Sequence, residues 1–139
     1  MHILLGSDDD LPVVLHLVTE LRRLGHEVTH LPVMGWGLVA REVAQGVADG
    51  RANMGVVCCW TGTGVSIVAN KIRKIRAALC PDAGTAEGAR RWNDANVLAL
   101  GLRGLGPGVA TEIVRAFLTT AYDGTEGESL EVIRTLDER

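Results

Sequence analysis

Two kinds of hydrophobic pattern alternate along the whole chain. Short, nearly continuous apolar runs predict buried strands, and longer segments with apolar residues three or four positions apart predict amphipathic helices. This alternation is typical of an α/β fold, in which helices cover both faces of a parallel sheet. The predicted strands are residues 2–6, 26–31, 54–59, 75–80 and 96–100, and the predicted helices are 12–24, 38–47, 65–72, 85–92, 109–118 and 129–136.

Proline and glycine mark several boundaries of these elements. Pro12 suits the first turn of the first helix, and Gly25 suits the position just after its end. Residues 32–37, which include Trp36, are predicted to form a loop. The sequence contains no internal repeat and no low-complexity linker, so residues 1–139 are interpreted as one domain.

The segment from Gly55 to Ser66 carries the most specific local signal. A strand leads into Gly62 and Gly64, which permit a tight turn before the next helix. Such a turn directs backbone N–H groups at one point, where they favour an anion or a developing oxyanion. We expect Cys59 at the lip of this turn, with its thiol facing a ligand. The glycine spacing alone is also compatible with a turn that binds nothing, and the patterns of nucleotide-binding loops are absent.

Composition excludes several classes of function. The chain has 139 residues, 47% of them hydrophobic, which is enough to bury a real core. A net charge of −3 and an aromatic content of 4% give no footprint for nucleic acid. No apolar run is long enough for a membrane span or a signal peptide, so we expect no membrane contact and a cytoplasmic location.

The cysteines and histidines give no sign of a disulfide framework or a metal site. The three cysteines include two sequence neighbours, and they are expected to be reduced. No Cys-x-x-Cys occurs, and the four histidines lack metal-binding spacing. Neither a metal nor another cofactor is predicted.

Polar residues follow the ends of two predicted strands. Ligands of parallel α/β proteins gather at the carboxyl ends of strands, where Asp8 and Cys59 are placed. Asp8, Asp9 and Asp10 form a run of charge that exceeds what a helix cap requires, although capping alone remains an alternative for Asp8.

Taken together, the motifs resemble the ribose-5-phosphate isomerase B and galactose-6-phosphate isomerase family of sugar-phosphate isomerases. The resemblance spans nearly the whole chain. It implies a Rossmann-like three-layer α/β/α sandwich with a five-stranded parallel sheet, and a homodimer or dimer of dimers with active sites at the subunit interface. The matching residues are 6–8, Cys59-x-Thr61-Gly62-x-Gly64-x-Ser66-Ile67-x-Ala69-Asn70-Lys71, 75–77, 93–99 and Arg103.

The resemblance also implies roles for individual residues. In such enzymes an open-chain aldose becomes a ketose through a cis-enediolate. Cys59 matches the base that moves the proton, Thr61 a hydroxyl near the ring oxygen, Asp8 a carboxylate that binds substrate hydroxyls, and Asn93 an amide near the intermediate. A second branch of the family has glutamate at position 65, so Val65 assigns this chain to the cysteine branch. The intermediate's oxyanion is assigned to the turn formed by Gly62, Thr63, Gly64, Val65 and Ser66.

Departures from the family pattern fall at positions implied to open the sugar ring and at positions implied to bind the far end of the substrate. Asp9 and Trp92 stand where family members have histidines, so the expected ring-opening histidine is absent. The segment 35–37, with Trp36, replaces Asp-Tyr-Pro, and the acidic segment 126–130 replaces an Arg-His-x-x-x-Arg cluster. Arg103 is the one phosphate-binding arginine that survives by direct match. Asp9, Trp36, Trp92 and Arg103 are therefore the remaining candidates for substrate binding. Trp36, Trp60 and Trp92 can form apolar walls for a sugar face or an aglycone, with interface packing as the alternative for each.

Three functions are compatible with this pattern. The favoured one is an aldose–ketose isomerase whose specificity has moved away from ribose 5-phosphate, because the proton-transfer residues are retained and the phosphate site is not. The second is an ordinary ribose-5-phosphate isomerase in which Arg90, Arg91 or Arg134 takes over the phosphate. The third is a catalytically silent sugar-binding or subunit-partner protein.

Overall fold

A parallel five-stranded sheet forms the centre of the computed structural model, which describes all 139 residues. The strand order is β2-β1-β3-β5-β4, and every neighbouring pair is parallel. The strands are β1 (His2–Ser7), β2 (Glu27–His30), β3 (Met54–Cys59), β4 (Ala77–Leu79) and β5 (Val97–Gly101). The helices are α1 (Pro12–Arg23), α2 (Trp36–Ala48), α3 (Thr63–Ala69), α4 (Ala83–Asn93), α5 (Pro107–Thr119) and α6 (Gly127–Asp137).

Strand alternation divides the core into two layers, one on each face of the sheet. Val56 and Cys58 of β3 pack with α1, α4 and α5, where Phe117 is the largest buried side chain. Val57 and Cys59 point to the opposite face and pack with α2 and α3. The predicted α/β/α sandwich with a five-stranded parallel sheet is therefore confirmed.

Most predicted elements are found within two or three residues of their expected limits. The prediction of a loop through residue 37 was wrong, because α2 begins at Trp36 with the amide of Val39 bonded to the Gly35 carbonyl. The predicted strand 75–80 shrinks to β4, since Asn70 and Asn96 side chains bond the backbone at its entry. Gly25 has a φ of +93°, as its predicted place after the first helix requires.

The C-terminal helix α6 differs from the other five helices because none of its residues is buried. Leu136 and Val132 are exposed, and a groove of about 800 Å³ separates the helix from the corner between α3 and β4. Contacts at its C-terminal end hold it, including a bond from the Lys74 amide to Asp137 Oδ2 of 3.1 Å. None of the six helices has both the length and the apolar character needed to cross a bilayer.

Candidate active site

A cavity of about 350 Å³ opens at the carboxyl edge of the sheet, above the ends of β1 and β3. That volume lies within the range of small-ligand sites. The structure brings six of the predicted site residues together there, and it adds Trp60. The lining residues are Asp8, Trp36, Cys59, Trp60, Thr61, Thr63 and Gly64.

The two neighbouring cysteines occupy different environments. Cys58 is fully buried in the core layer formed by α1, α4 and α5. This burial, with smaller contributions from Cys59 and Asp8, raises the pKa of Cys58 to about 12. Its thiol therefore stays protonated at neutral pH. Cys59 lines the cavity, but its side chain is more buried than a position at the lip of a turn suggests, with 5% of its surface exposed. It packs in the α2–α3 layer, so it contributes to the core as well as to the cavity.

Gly62 gives the turn after β3 its shape. It has a left-handed φ of +76°, and a Cβ on it would lie 2.6 Å from the Gly101 nitrogen and 2.5 Å from Leu79 Cδ1. The reverse contact is as close, because a Cβ on Gly101 would lie 2.6 Å from the Thr61 carbonyl oxygen. The turn therefore touches the end of β5 backbone to backbone, which only two facing glycines permit.

The first turn of α3 carries backbone amides that have no intrahelical acceptor, and two of its residues, Thr63 and Gly64, line the cavity. The amides of Thr63, Gly64 and Val65 precede the first intrahelical hydrogen bond. The amide of Ser66 is already bonded to the Gly62 carbonyl at 3.2 Å. The side chain of Val65 is fully buried in the core, so this residue can offer a ligand only its N–H.

Trp36 forms one wall of the cavity by lying flat against Gly64. A Cβ at position 64 would come within 2.8 Å of the Trp36 ring, so the glycine is required for this contact. Trp36 and Trp60 are 49% and 58% exposed, and both present aromatic surface at the cavity. The sequence analysis considered Trp60 as an apolar wall, and its place beside Cys59 at this cavity agrees with that interpretation.

Hydroxyl and carboxylate groups supply the polar part of the lining. Thr61 and Thr63 share a hydrogen bond of 2.8 Å between their hydroxyl oxygens. Ser7 Oγ donates to the Asp9 carbonyl at 2.7 Å, which fixes the loop that carries Asp8. Asp9 itself is exposed and does not line the cavity.

Arg103 lines an adjacent cavity of about 570 Å³, which shares Trp60 and Thr61 with the first. Its amide donates to the Trp60 carbonyl at 2.9 Å, so its backbone is fixed relative to the turn. Its guanidinium makes no hydrogen bond or ion pair within the chain. The other walls are mostly apolar and include Leu79, Cys80, Pro81, Leu105 and Val109.

Trp92 and Asn93 do not join this cavity within one chain. Trp92 lies over Gly88 of its own helix, where a Cβ would meet the ring at 2.8 Å. Asn93 is exposed, makes no side-chain hydrogen bond, and lines the groove beside α6. No three His, Cys, Asp or Glu side chains are grouped as a metal-binding cluster.

The fold and the cavity together define a class of protein. It is a parallel α/β protein with a polar cavity at the carboxyl edge of its central strands, built around a cysteine and a glycine turn. A family model described as Ribose/Galactose Isomerase matches residues 3–135. The chain therefore belongs to the ribose/galactose isomerase family, which confirms the resemblance drawn from its motifs.

Individual relatives agree with this assignment. The chain is 38% identical to galactose-6-phosphate isomerase subunit LacB of Clostridium acetobutylicum, over 99% of this chain and 83% of the relative. It is 41% identical to ribose-5-phosphate isomerase B of Escherichia coli, over 72% of this chain and 68% of the relative. The solved ribose-5-phosphate isomerase B of Clostridium thermocellum superposes with a TM-score of 0.94 at 32% identity, covering 99% of this chain and 98% of that structure.

Proposed function

We propose that this protein is an aldose–ketose isomerase that acts on a sugar or sugar phosphate through a cis-enediolate. One observation carries the proposal: a single cavity is lined by Cys59, Asp8 and Thr61 and by the first two residues of α3, whose amides have no intrahelical acceptor. Family membership supports the same chemistry, since the relatives are named as isomerases of sugar phosphates.

In the proposed reaction Cys59, as thiolate, takes the proton from the carbon next to the carbonyl. The C–H electron pair forms the carbon–carbon double bond of the enediolate, and the carbonyl π electrons move to oxygen. The amides of Thr63, Gly64 and Val65 stabilise that oxyanion, because they have no intrahelical acceptor. The hydroxyl proton of the neighbouring oxygen passes to this oxyanion, so the negative charge moves to the second oxygen of the enediolate. Cys59 then returns its proton to the former carbonyl carbon, the electrons of the carbon–carbon double bond form that C–H bond, and the charge on the second oxygen forms the new carbonyl.

Asp8 and Thr61 are proposed to hold the substrate during this transfer. A carboxylate accepts hydrogen bonds from sugar hydroxyls, and the Thr61 hydroxyl is already oriented by Thr63 at 2.8 Å. Trp36 and Trp60 offer aromatic surface on which the C–H face of a sugar can pack.

The substrate is proposed to differ from ribose 5-phosphate at its far end. Arg103 is the only arginine beside the site with a free guanidinium. Arg90 is buried and bonded to the Thr120 carbonyl, Arg91 pairs with Glu87 at 2.6 Å, and Arg134 pairs with Glu138 at 2.8 Å. Because these three guanidinium groups already bind other groups of the chain, we do not propose that any of them replaces the lost phosphate-binding arginines.

The active sites are proposed to lie between two subunits of a homodimer, which can also pair into a dimer of dimers. Trp92 and Asn93 are exposed and remote from their own Cys59 cavity, as expected if they serve a partner subunit. In that arrangement Asn93 contributes its amide near the intermediate, and Trp92 and Asp9 stand at the rim.

Proton exchange in D2O tests the chemistry across a panel of candidate sugars. Purified protein is incubated with phosphorylated and free pentoses and hexoses, and deuterium at C2 is measured by NMR. Cys59→Ser keeps the size of the side chain but removes the acidic thiol, so exchange should fall by at least about 100-fold. Cys58→Ala is the matched control, because it removes the neighbouring thiol, which lies on the opposite face of the sheet from the cavity.

Deuterium incorporation by Cys59→Ser at the wild-type rate would disprove the role of Cys59. Incorporation into no sugar by the wild type would favour a silent binding protein. Mixing Cys59→Ser with Asn93→Ala tests the shared site, because random exchange of subunits should restore about a quarter of the wild-type sites. No recovery from subunits shown to exchange would contradict the interface proposal.

A further inference from the structure

The corner after α4, which carries Trp92 and Asn93, is held in an uncommon backbone conformation. Asp94 follows Asn93 with φ 48° and ψ 42°, a left-handed conformation that is disfavoured for residues other than glycine, asparagine and aspartate. The amide of Ala95 bonds the Ala89 carbonyl at 3.1 Å, which closes the helix end. The chain direction after Asn93 therefore depends on what keeps Asp94 in place.

Two arginines, Arg76 before β4 and Arg90 in α4, form hydrogen bonds to Asp94, and this pair of contacts is called the arginine grip. Arg76 Nε donates to the Asp94 carbonyl at 2.7 Å, and its Nη2 reaches Asp94 Oδ2 at 3.5 Å. Arg90 Nη1 donates to Asp94 Oδ1 at 3.2 Å and also to the Ala95 carbonyl. Both carboxylate oxygens and the backbone carbonyl of Asp94 are thus occupied.

Both arginines are themselves fixed. Arg90 is 9% exposed, lies 5.7 Å above the Phe117 ring and donates to the Thr120 carbonyl at 3.2 Å. The amide of Arg76 is bonded to Asn96 Oδ1 at 2.8 Å. Arg90 therefore connects the corner to α5 and its end, and Arg76 connects it to the start of β4.

We propose that Asp94, gripped by Arg76 and Arg90, is a positioning residue for the active site of the partner subunit. It holds Asn93 at the angle at which its amide meets the reaction intermediate. This inference rests on the proposed function and adds to it a group that touches no substrate. The observation behind it is that the side chain of Asn93 is exposed and unbonded, while the next residue is held at its carbonyl and at both carboxylate oxygens.

Asp94→Gly is the direct test. Glycine adopts the left-handed conformation without strain but removes both carboxylate contacts. We expect kcat to fall about 10-fold to 100-fold with KM changed less than about twofold, because a misplaced group costs transition-state contacts. Lys74→Gly is the matched control: Lys74 has a φ of +73°, its side chain makes no hydrogen bond, and glycine keeps the carbonyl that accepts from Arg76 Nη1 at 3.3 Å. It should leave kcat unchanged.

Two further measurements separate positioning from a general loss of structure. If Asp94 acts through Asn93, Asp94→Gly should lower kcat no further in an Asn93→Ala background, whereas a separate structural effect would add. Hydrogen exchange of the amides at positions 94 and 95 should become about 10-fold faster in Asp94→Gly and stay unchanged in Lys74→Gly.

Wild-type kcat in Asp94→Gly, or an undiminished effect in the Asn93→Ala background, would overturn the proposal. If Asp94→Gly does not fold, Arg76→Lys carries the test, because lysine cannot reproduce the Nε bond to the Asp94 carbonyl. If the wild type converts no sugar, the proposed function fails on its own. The exchange measurement then decides, since unchanged exchange would show that the arginine grip does not hold the corner.

Discussion

Replacing Gly62 by alanine tests whether the backbone contact between the turn and β5 holds the site together. The added Cβ would lie 2.6 Å from the Gly101 nitrogen and 2.8 Å from the Leu100 carbonyl carbon. Both are backbone atoms of a central strand, so they cannot move aside as a flexible side chain does. The residue would also have to keep a φ of +76°.

These two effects set the expected magnitude. A left-handed conformation costs a residue with a Cβ about 1–2 kcal/mol, and forcing an extra carbon into a filled space costs about 1–3 kcal/mol. Gly62→Ala should therefore lower the free energy of unfolding by about 2–5 kcal/mol, out of a total of about 5–15 kcal/mol for a typical domain. The melting temperature should fall by about 6 °C or more.

Gly104→Ala is the matched control, and urea unfolding is the assay. Gly104 has a φ of +68° but no atom within 4 Å of its ideal Cβ, so it reports the conformational cost alone. The difference between the two variants isolates the steric clash, at about 1–3 kcal/mol. Equal destabilisation of the two variants would refute the argument, since it would mean that the turn moves away from β5 without resistance.

Three further outcomes are expected. Cys58→Ala should lower the free energy of unfolding by about 1–3 kcal/mol, because it leaves a void in the core layer formed with α1, α4 and α5, and it should leave proton exchange in D2O intact. A loss of exchange in folded protein would contradict the assignment of core packing to Cys58 and proton transfer to Cys59. Arg103→Gln should weaken ribose 5-phosphate binding about 10-fold and make the affinity independent of salt, as measured by calorimetry at two ionic strengths. If the affinity of the variant still depends on salt, a cationic side chain other than Arg103 binds the phosphate. Asp82 caps α4 by accepting from the Thr85 amide at 2.7 Å, and this bond lowers the pKa of Asp82. The stabilising effect of Asp82 is therefore present above its unfolded-state pKa and is lost as the pH falls through its folded-state pKa. Urea unfolding should show that Asp82→Ala destabilises the protein at neutral pH and less in acid, and an equal loss of stability at both pH values would contradict this.

The sequence predicted the fold well because its strands are short apolar runs that tertiary packing does not override. The start of α2 was missed, since Gly35-Trp36-Gly37 lacks a capping side chain and two glycines favour a loop. The start of β4 was also predicted too early, at residue 75 instead of Ala77. There the side chain of Asn96 takes the backbone bond that a longer strand would need, and the pattern of apolar residues does not report this.

The candidate site was predictable where it follows the chain and less so where it depends on distant contacts. Asp8, Cys59, Thr61 and Thr63 sit beside strand ends that the pattern locates, so their convergence could be expected. The depth of Cys59 could not, because it depends on how α2 and α3 pack over it. The bond from Arg90 to the Thr120 carbonyl also lies beyond local pattern, since the two residues are 30 positions apart.

The contact between Gly62 and Gly101 also has a consequence for substrate length. The amides of Leu102 and Arg103 bond the carbonyls of Cys59 and Trp60 at 2.9 Å, so two backbone hydrogen bonds join the segments in addition to that contact. The span from the thiol to the base of the arginine is therefore constant, and only the reach of the side chain at position 103 can vary. With Arg103 in its proposed role at the far end of the substrate, this fixed span sets the chain length that fits between the arginine and the thiol. Arg103→Lys shortens the reach, so we expect it to change the preferred number of carbons without slowing proton transfer, as measured by deuterium incorporation across pentoses and hexoses.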